Sequence, residues 1–294
     1  MSQAEIVATG TEPVDERIGG VPARRITLLS GVPGSGRTCF VLAFLVAALR
    51  RGEAACLVTT DSPEAVLESC RNGLRVDLAP FLRSRRLTIL SYGAGFDAKI
   101  RALGHVDKPV AELARLAVER GWKHVVFDTI DPILVAAEPS RLKQFITAAV
   151  RAIGKLGLTC VCTATDSASL KLAADELASH VSCSMALLVE GKQRFLCFLE
   201  TTRSARGARS WTGSLSAPMD LPSWPIAFQL VPGVGIVASA KLAGTTMPEV
   251  AAIKKAAPPL AQAATVLTTI DAAALSEAAT VLTTIDAAAL SEAA

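Results

Sequence analysis

A glycine-rich segment early in the chain has the residue types that bind phosphate. It covers residues 31–39, which are Gly31, Val32, Pro33, Gly34, Ser35, Gly36, Arg37, Thr38 and Cys39. Glycines let backbone N–H groups turn toward phosphate oxygens, and a helix that starts here adds the positive end of its dipole. The pattern is that of the loop G-x-x-x-x-G-K-[ST], with Arg37 in place of the lysine. We therefore expect ATP to bind here, with the Thr38 hydroxyl on Mg²⁺.

An acidic residue that could hold the same Mg²⁺ ends an apolar strand. In "HVVFDTID", residues 124–131, Asp128 follows three apolar residues, which is the form of a Walker B element. Carboxylate oxygens are ligands that suit Mg²⁺ and the waters bound to it. We therefore predict a metal site at Thr38 and Asp128. Asp131, which precedes Pro132, is interpreted as a turn residue.

The composition limits the classes of protein to consider. The chain has 294 residues, of which 51% are hydrophobic and 19% charged, as in a globular protein. A net charge of +3 and an aromatic content of 4% do not favour a nucleic-acid-binding surface. The longest apolar run, residues 39–49, is too short to span a membrane. Seven cysteines without framework spacing favour the reducing cytoplasm.

Apolar runs alternate with helix-like segments from about residue 26 to 236, which predicts an α/β domain. Buried strands are expected within residues 25–31, 54–61, 86–93, 123–131 and 158–166, and helices at 38–50, 62–71, 110–120 and 142–156. Continuous apolar strands separated by helices favour a mostly parallel sheet with helices on both faces. Later runs within residues 185–190, 194–202 and 226–231 are predicted as antiparallel strands.

The composition changes after residue 238. Residues 239–262 carry three prolines among alanines and lysines and are interpreted as a linker. The 15-residue sequence "AATVLTTIDAAALSE" then occurs twice in tandem. We therefore predict a core domain at 1–238, a linker at 239–262 and a repeat tail at 263–294. The tail is either a helical segment that docks twice on a protein partner, or a recent duplication without a role.

The chain resembles the KaiC/RadA branch of the RecA-like ATPases. The resemblance covers residues 7–240 and rests on the order and spacing of "ATGTEPVDERIGG" at 8–20, "RRITLLSGVPGSGRT" at 24–38, "EAACLVTTDSPEAVL" at 53–67, "RRLTIL" at 85–90 and "VPGVGIV" at 231–237. It implies a RecA-like core that assembles into a ring, often a hexamer. It also implies that Mg-ATP binds between neighbouring subunits.

Three positions depart from the pattern of that family. The resemblance implies a water-orienting carboxylate after the second strand, where Asp61 stands in place of glutamate; helix capping is the alternative role for Asp61. It also implies a basic finger near residues 200–202, but these positions hold no basic residue. Arg203 and Arg206, which follow, are the candidates to reach the nucleotide of a neighbouring subunit. The alternative is that they belong to an exposed hairpin. Arg37 can pair with phosphate but is expected to serve the transition state less well than lysine.

Three functions are compatible with these residues. The first is a KaiC-like regulatory switch that binds ATP, forms a homo-oligomer and hydrolyses ATP slowly or not at all. The second is a RadA-like DNA-repair or recombination accessory ATPase, although no DNA-binding motif accompanies the basic "RSRR" at 83–86. The third is a scaffold whose phosphate loop is a relic. The switch predicts nucleotide-dependent assembly and the DNA-repair accessory predicts turnover that DNA stimulates. The scaffold predicts that no nucleotide is bound.

Overall fold

The structure is a computed structural model. It describes residues 5–92, 107–136, 139–167, 170, 177, 180–191, 193–199 and 226–239. Arg203, Arg206 and the repeat tail at 263–294 lie outside the described residues, as does all but the first residue of the predicted linker. The predictions made for them, including the domain boundaries, therefore stay predictions.

The described residues form eleven strands and seven helices. The strands are β1 Ile6–Val7, β2 Val21–Pro22, β3 Ile26–Gly31, β4 Ala54–Thr59, β5 Leu87–Ser91, β6 Trp122–Asp128, β7 Thr159–Thr165, β8 Cys183–Glu190, β9 Gln193–Leu199, β10 Ile226–Val231 and β11 Gly235–Ala238. The helices are α1 Glu12–Ile18, α2 Arg37–Arg50, α3 Pro63–Leu74, α4 Ala79–Arg83, α5 Asp107–Arg120, α6 Asp131–Ala136 and α7 Pro139–Leu156.

One large sheet organises the described part of the chain. Its nine strands lie in the order β11-β10-β9-β8-β3-β7-β6-β4-β5. The strands from β8 to β5 in this order are parallel, and β9, β10 and β11 continue the sheet with antiparallel pairs. The predicted mostly parallel sheet with antiparallel C-terminal strands is confirmed. The change of direction falls one strand later than predicted, because β8 is parallel to β3.

The apolar character of the parallel strands follows from burial on both faces. One hydrophobic cluster contains side chains of α1, α2 and α3, and the other contains side chains of α5, α6 and α7. Successive side chains of one strand pack alternately into the two clusters, on opposite faces of the sheet; Leu57 and Val58 of β4 are an example. Helix α2 is apolar nearly all round because it is buried between the sheet and its neighbours; Phe40 and Phe44 are fully buried there.

The longer helices were predictable and the short ones were not. The four expected helices correspond to α2, α3, α5 and α7. Helices α1, α4 and α6 are too short for an apolar periodicity to be recognised in the sequence. No helix among the described residues is long and apolar enough to cross a membrane.

The candidate residues converge on one edge of this sheet. In the register, Gly31 at the end of β3 lies opposite Thr165 of β7 and Leu187 of β8. Thr59 at the end of β4 lies opposite Asp128 of β6. Because the parallel strands all finish here, the residues that follow them meet at their carboxyl ends, where α/β sheets bind ligands.

Candidate functional site

The glycine-rich loop joins the end of a buried strand to the start of a buried helix. Strand β3 ends at Gly31 and α2 begins at Arg37. Gly34 and Gly36 have φ values of 78° and 108°, in the left-handed region that favours glycine. The first turn of α2 contains no acidic residue, so nothing there opposes the attraction of the helix N-terminus for an anion. This local structure is compatible with the phosphate-binding loop predicted from the sequence.

Two glycines of this loop lie close to neighbouring strands of the sheet. A Cβ atom at Gly31 would lie 2.8 Å from the backbone oxygen of Leu187 on β8. A Cβ at Gly36 would lie 3.0 Å from the Leu230 side chain of β10. The Ser35 hydroxyl is buried and has no hydrogen-bond partner among the described residues. The loop therefore keeps an unused polar group inside a tightly packed turn, as a site for a polar ligand would.

Arg37, which stands in the place of the usual lysine, reaches across to β7. Its Nη2 donates a hydrogen bond to Thr165 Oγ1 at 3.0 Å. Its Nη1 is buried and has no hydrogen-bond partner in the part of the chain that the structure describes. A buried guanidinium donor without an acceptor is unfavourable, at a cost of about 1–3 kcal/mol. Both orphaned groups, Ser35 Oγ and Arg37 Nη1, fit a phosphate group that would supply the missing acceptors.

Asp128 lies where a Mg²⁺ ligand is expected. Thr163 Oγ1 donates to Asp128 Oδ1 at 2.9 Å. Burial raises the pKa of the Asp128 carboxyl, and the charge of Asp61 adds to this rise, whereas the hydrogen bond from Thr163, the nearby Thr38 hydroxyl and the charge of Arg37 lower the pKa. Thr38 and Asp128, the two predicted metal ligands, are therefore close enough to influence each other. A cation would fit this pair, because it would stabilise a carboxylate that burial disfavours.

Asp61 lies beside this pair, and its side chain is not held in place. The residue is exposed, and its carboxylate makes no hydrogen bond or ion pair to the described residues. Its backbone is fixed, since its N–H donates to Thr59 Oγ1 and its carbonyl accepts from Ser91 Oγ. The N-cap of α3 is Ser62, whose hydroxyl accepts from the Ala65 N–H. The capping role considered for Asp61 is therefore wrong.

Several residues of the site were not predicted from the sequence, and three of them lie beside the loop. Thr165 binds Arg37, Leu230 touches the loop at Gly36, and Arg194 of β9 donates long hydrogen bonds of 3.4 and 3.5 Å to the Gly34 carbonyl oxygen. Thr165 had a signal, because it is a polar residue at the end of an apolar strand. The other two lie on antiparallel strands far along the chain, and only the sheet register brings them to the loop.

The fold and this loop together define a P-loop domain of the RecA-like type. Residues 7–206 match the family model described as "ATPase: KaiC". This match covers more than half of the chain. The chain therefore belongs to the KaiC ATPase family, and the resemblance seen in its motifs is confirmed.

Curated relatives share part of the chain at below 30% identity. A "UPF0273 protein" of Thermotoga maritima is 27% identical over 162 residues, which are 52% of this chain and 66% of the relative. A second, from Pyrobaculum aerophilum, is 29% identical over 150 residues, which are 48% of this chain and 53% of the relative. The chain thus spans between about half and just under two thirds of the length of these curated relatives.

A solved structure shows the same fold. It is a "KaiC-like protein" of the hyperthermophilic archaeon Pyrococcus horikoshii OT3, with a TM-score of 0.61 and 20% sequence identity. The similarity covers 80% of this chain and 99% of the other. At this level of identity the likeness concerns the fold alone.

Proposed function

We propose that this protein binds Mg-ATP at residues 31–38 and acts as an oligomeric regulatory switch with slow or absent hydrolysis. The observation that carries the proposal is the arrangement at the loop. Left-handed glycines turn the backbone, Ser35 and Arg37 keep polar groups that no described residue pairs with, and Thr38 is near enough to Asp128 to lower the pKa of its carboxyl. These groups match the two parts of the ligand, with donors for phosphate and oxygens for Mg²⁺.

Each residue has a stated role in this proposal. The loop residues, from Gly31 to Cys39, surround the phosphates. Thr38 and Asp128 hold Mg²⁺ through the hydroxyl and the carboxylate, and Arg37 pairs with phosphate oxygens as a planar, permanently charged group. The ion supplies charge neutralisation at the phosphates when it is bound. Asp61 remains the proposed water-orienting group, and Arg203 and Arg206 the proposed groups that act on a neighbouring subunit's nucleotide.

Assembly is the proposed output of nucleotide binding. With Mg-ATP, we expect the purified full chain to form a homo-oligomer, in a ring of several subunits, with a mass several times the 30.6 kDa of one chain. The reason is that a nucleotide held between subunits contributes its binding free energy to the interface. Light scattering after gel filtration, with and without Mg-ATP, measures the mass. A mass that does not respond to nucleotide would contradict the switch.

The same samples separate the alternatives. The RadA-like accessory predicts turnover that rises with DNA and falls steeply with salt. The relic scaffold predicts that no nucleotide is bound at all. The nucleotide content of the purified protein therefore distinguishes the scaffold from the two ATP-binding functions, and the effect of DNA and salt on turnover distinguishes those two from each other.

The repeat tail is proposed to act apart from the core. Removing residues 261–294 is expected to leave the melting temperature and ATP binding of the chain unchanged, because the prolines and the change in composition mark a domain boundary. Calorimetry of the two chains measures the difference. A chain that lacks only residues 278–294 is the control for length. A fall of several degrees on removal of the tail would mean that the tail packs on the core.

A further inference from the structure

A chain of hydrogen bonds joins Arg37 to Asp131 through Thr165. Arg37 Nη2 donates to Thr165 Oγ1 at 3.0 Å. The Thr165 hydroxyl donates in turn to Asp131 Oδ2, and the Thr165 backbone N–H donates to Asp131 Oδ1 at 2.8 Å. Both oxygens of the Asp131 carboxylate are therefore engaged by one residue. Asp131 thus does more than begin α6.

The chemical groups fix the direction of these hydrogen bonds. A guanidinium has only donors and an ionised carboxylate has only acceptors. The single hydrogen of the Thr165 hydroxyl must therefore go to Asp131, which leaves a lone pair for Arg37. Asp131 orients Arg37 through this hydroxyl and makes no ion pair with it in the described part of the chain. The positive charge of Arg37 is oriented without being neutralised by direct pairing.

We propose that Asp131 and Thr165 are positioning residues that hold the Arg37 guanidinium for the phosphates of ATP. This role rests on the proposed nucleotide binding. Asp131 and Thr165 would allow an arginine to bind phosphate in a loop that usually has a lysine. Arg37 Nη1 is buried and no described residue accepts a hydrogen bond from it, so the oriented group keeps a donor for a phosphate oxygen. A lysine presents a compact charge with three rotatable donors, whereas the planar guanidinium binds well only when its plane is set.

Removal of the Thr165 hydroxyl tests this positioning. In the full-length Thr165→Val variant, which keeps the branched shape, we expect the affinity for Mg-ATP to fall about tenfold, as for the loss of a hydrogen bond to a charged group. Thr165→Ser restores the hydroxyl and should bind like the parent. Asp131→Asn should weaken binding as Thr165→Val does. Its amide would donate to Thr165 Oγ1 and turn the hydroxyl hydrogen toward Arg37.

A double-mutant cycle separates positioning from structural damage. In an Arg37→Ala background, where binding relies on the loop backbone, Thr165→Val should have no further effect on the affinity for Mg-ATP. Isothermal titration calorimetry with Mg-ATP measures all of the variants. An unchanged affinity of Thr165→Val, or an equal loss with and without Arg37, would overturn the inference while the parent still binds. A parent that does not bind Mg-ATP would instead refute the proposed function, and this inference with it.

Discussion

An alanine at position 36 is expected to weaken Mg-ATP binding by about two orders of magnitude, roughly 2.7 kcal/mol. Gly36 has a φ of 108° and is the residue before α2. A side chain is strained in this conformation, so the backbone of the variant will relax toward negative φ. That relaxation turns the N–H groups of the loop away from the phosphates. The Leu230 side chain at 3.0 Å adds a contact, although its flexible end can move.

The control for this variant is another glycine with a positive φ, which lies away from the site. Gly121, between α5 and β6, has a φ of 65°, and a Cβ atom built there meets no atom within 4 Å. We expect Gly121→Ala to lower the melting temperature slightly and to leave the affinity for Mg-ATP unchanged. Calorimetric titration and thermal unfolding of both variants separate the two effects. If Gly36→Ala bound as tightly as the parent, the nucleotide site would lie elsewhere in the chain.

The parallel part of the fold was predictable because it depends on local patterns. Strands such as β3 and β7 are continuous apolar runs, and the glycine loop follows β3 directly. Parallel strands end at one edge, so the meeting of the loop with Asp128 could be inferred from the order of the elements. The direction of β8 could not be inferred, because an apolar run of this length is equally compatible with a parallel or an antiparallel neighbour.

The contacts that hold Arg37 could not be predicted from the sequence, for a different reason. Thr165 lies 128 positions after Arg37, and the hydrogen bond between them depends on the register of β3 with β7. Asp131 was interpreted as a turn residue because it precedes Pro132. The structure shows that it begins α6 and that its carboxylate binds Thr165. Local sequence signals describe turns and caps, whereas these interactions depend on which strands become neighbours.

The parent chain is expected to hydrolyse ATP at less than about 0.01 per second, compared with about 10 per second for a typical enzyme. One reason is that the Asp61 carboxylate is exposed and has no partner in the described residues to hold it in place. It is also one methylene shorter than the glutamate of the family pattern. A carboxylate that is not held in place orients an attacking water poorly, because proximity and alignment supply much of the rate.

Arg37 is expected to lower the rate of ATP hydrolysis for a separate reason and to leave the affinity for ATP nearly unchanged. Its guanidinium can pair with two phosphate oxygens in the ground state. It is anchored on Thr165, however, so it is less able than a lysine to follow charge as the transition state forms. The three departures from the family pattern are Arg37, Asp61 and the displaced finger residues. Each of them is expected to lower the rate by about one to two orders of magnitude, roughly 1.4 to 2.7 kcal/mol. The affinity for ATP is expected to change much less.

The Arg37→Lys variant separates this contribution from the other two. We expect about a tenfold rise in turnover, the lower end of the range given for one departure, and a rate still far below that of a typical enzyme because the Asp61 and finger departures remain. Adding Asp61→Glu to Arg37→Lys should raise turnover further, since it restores the longer carboxylate as well. Phosphate release at saturating Mg-ATP measures the rate for the parent, both single variants and the double variant, with Gly36→Ala as the blank for contaminating ATPases. A parent rate near 10 per second would make Arg37 a fully competent substitute for lysine and would contradict the slow switch.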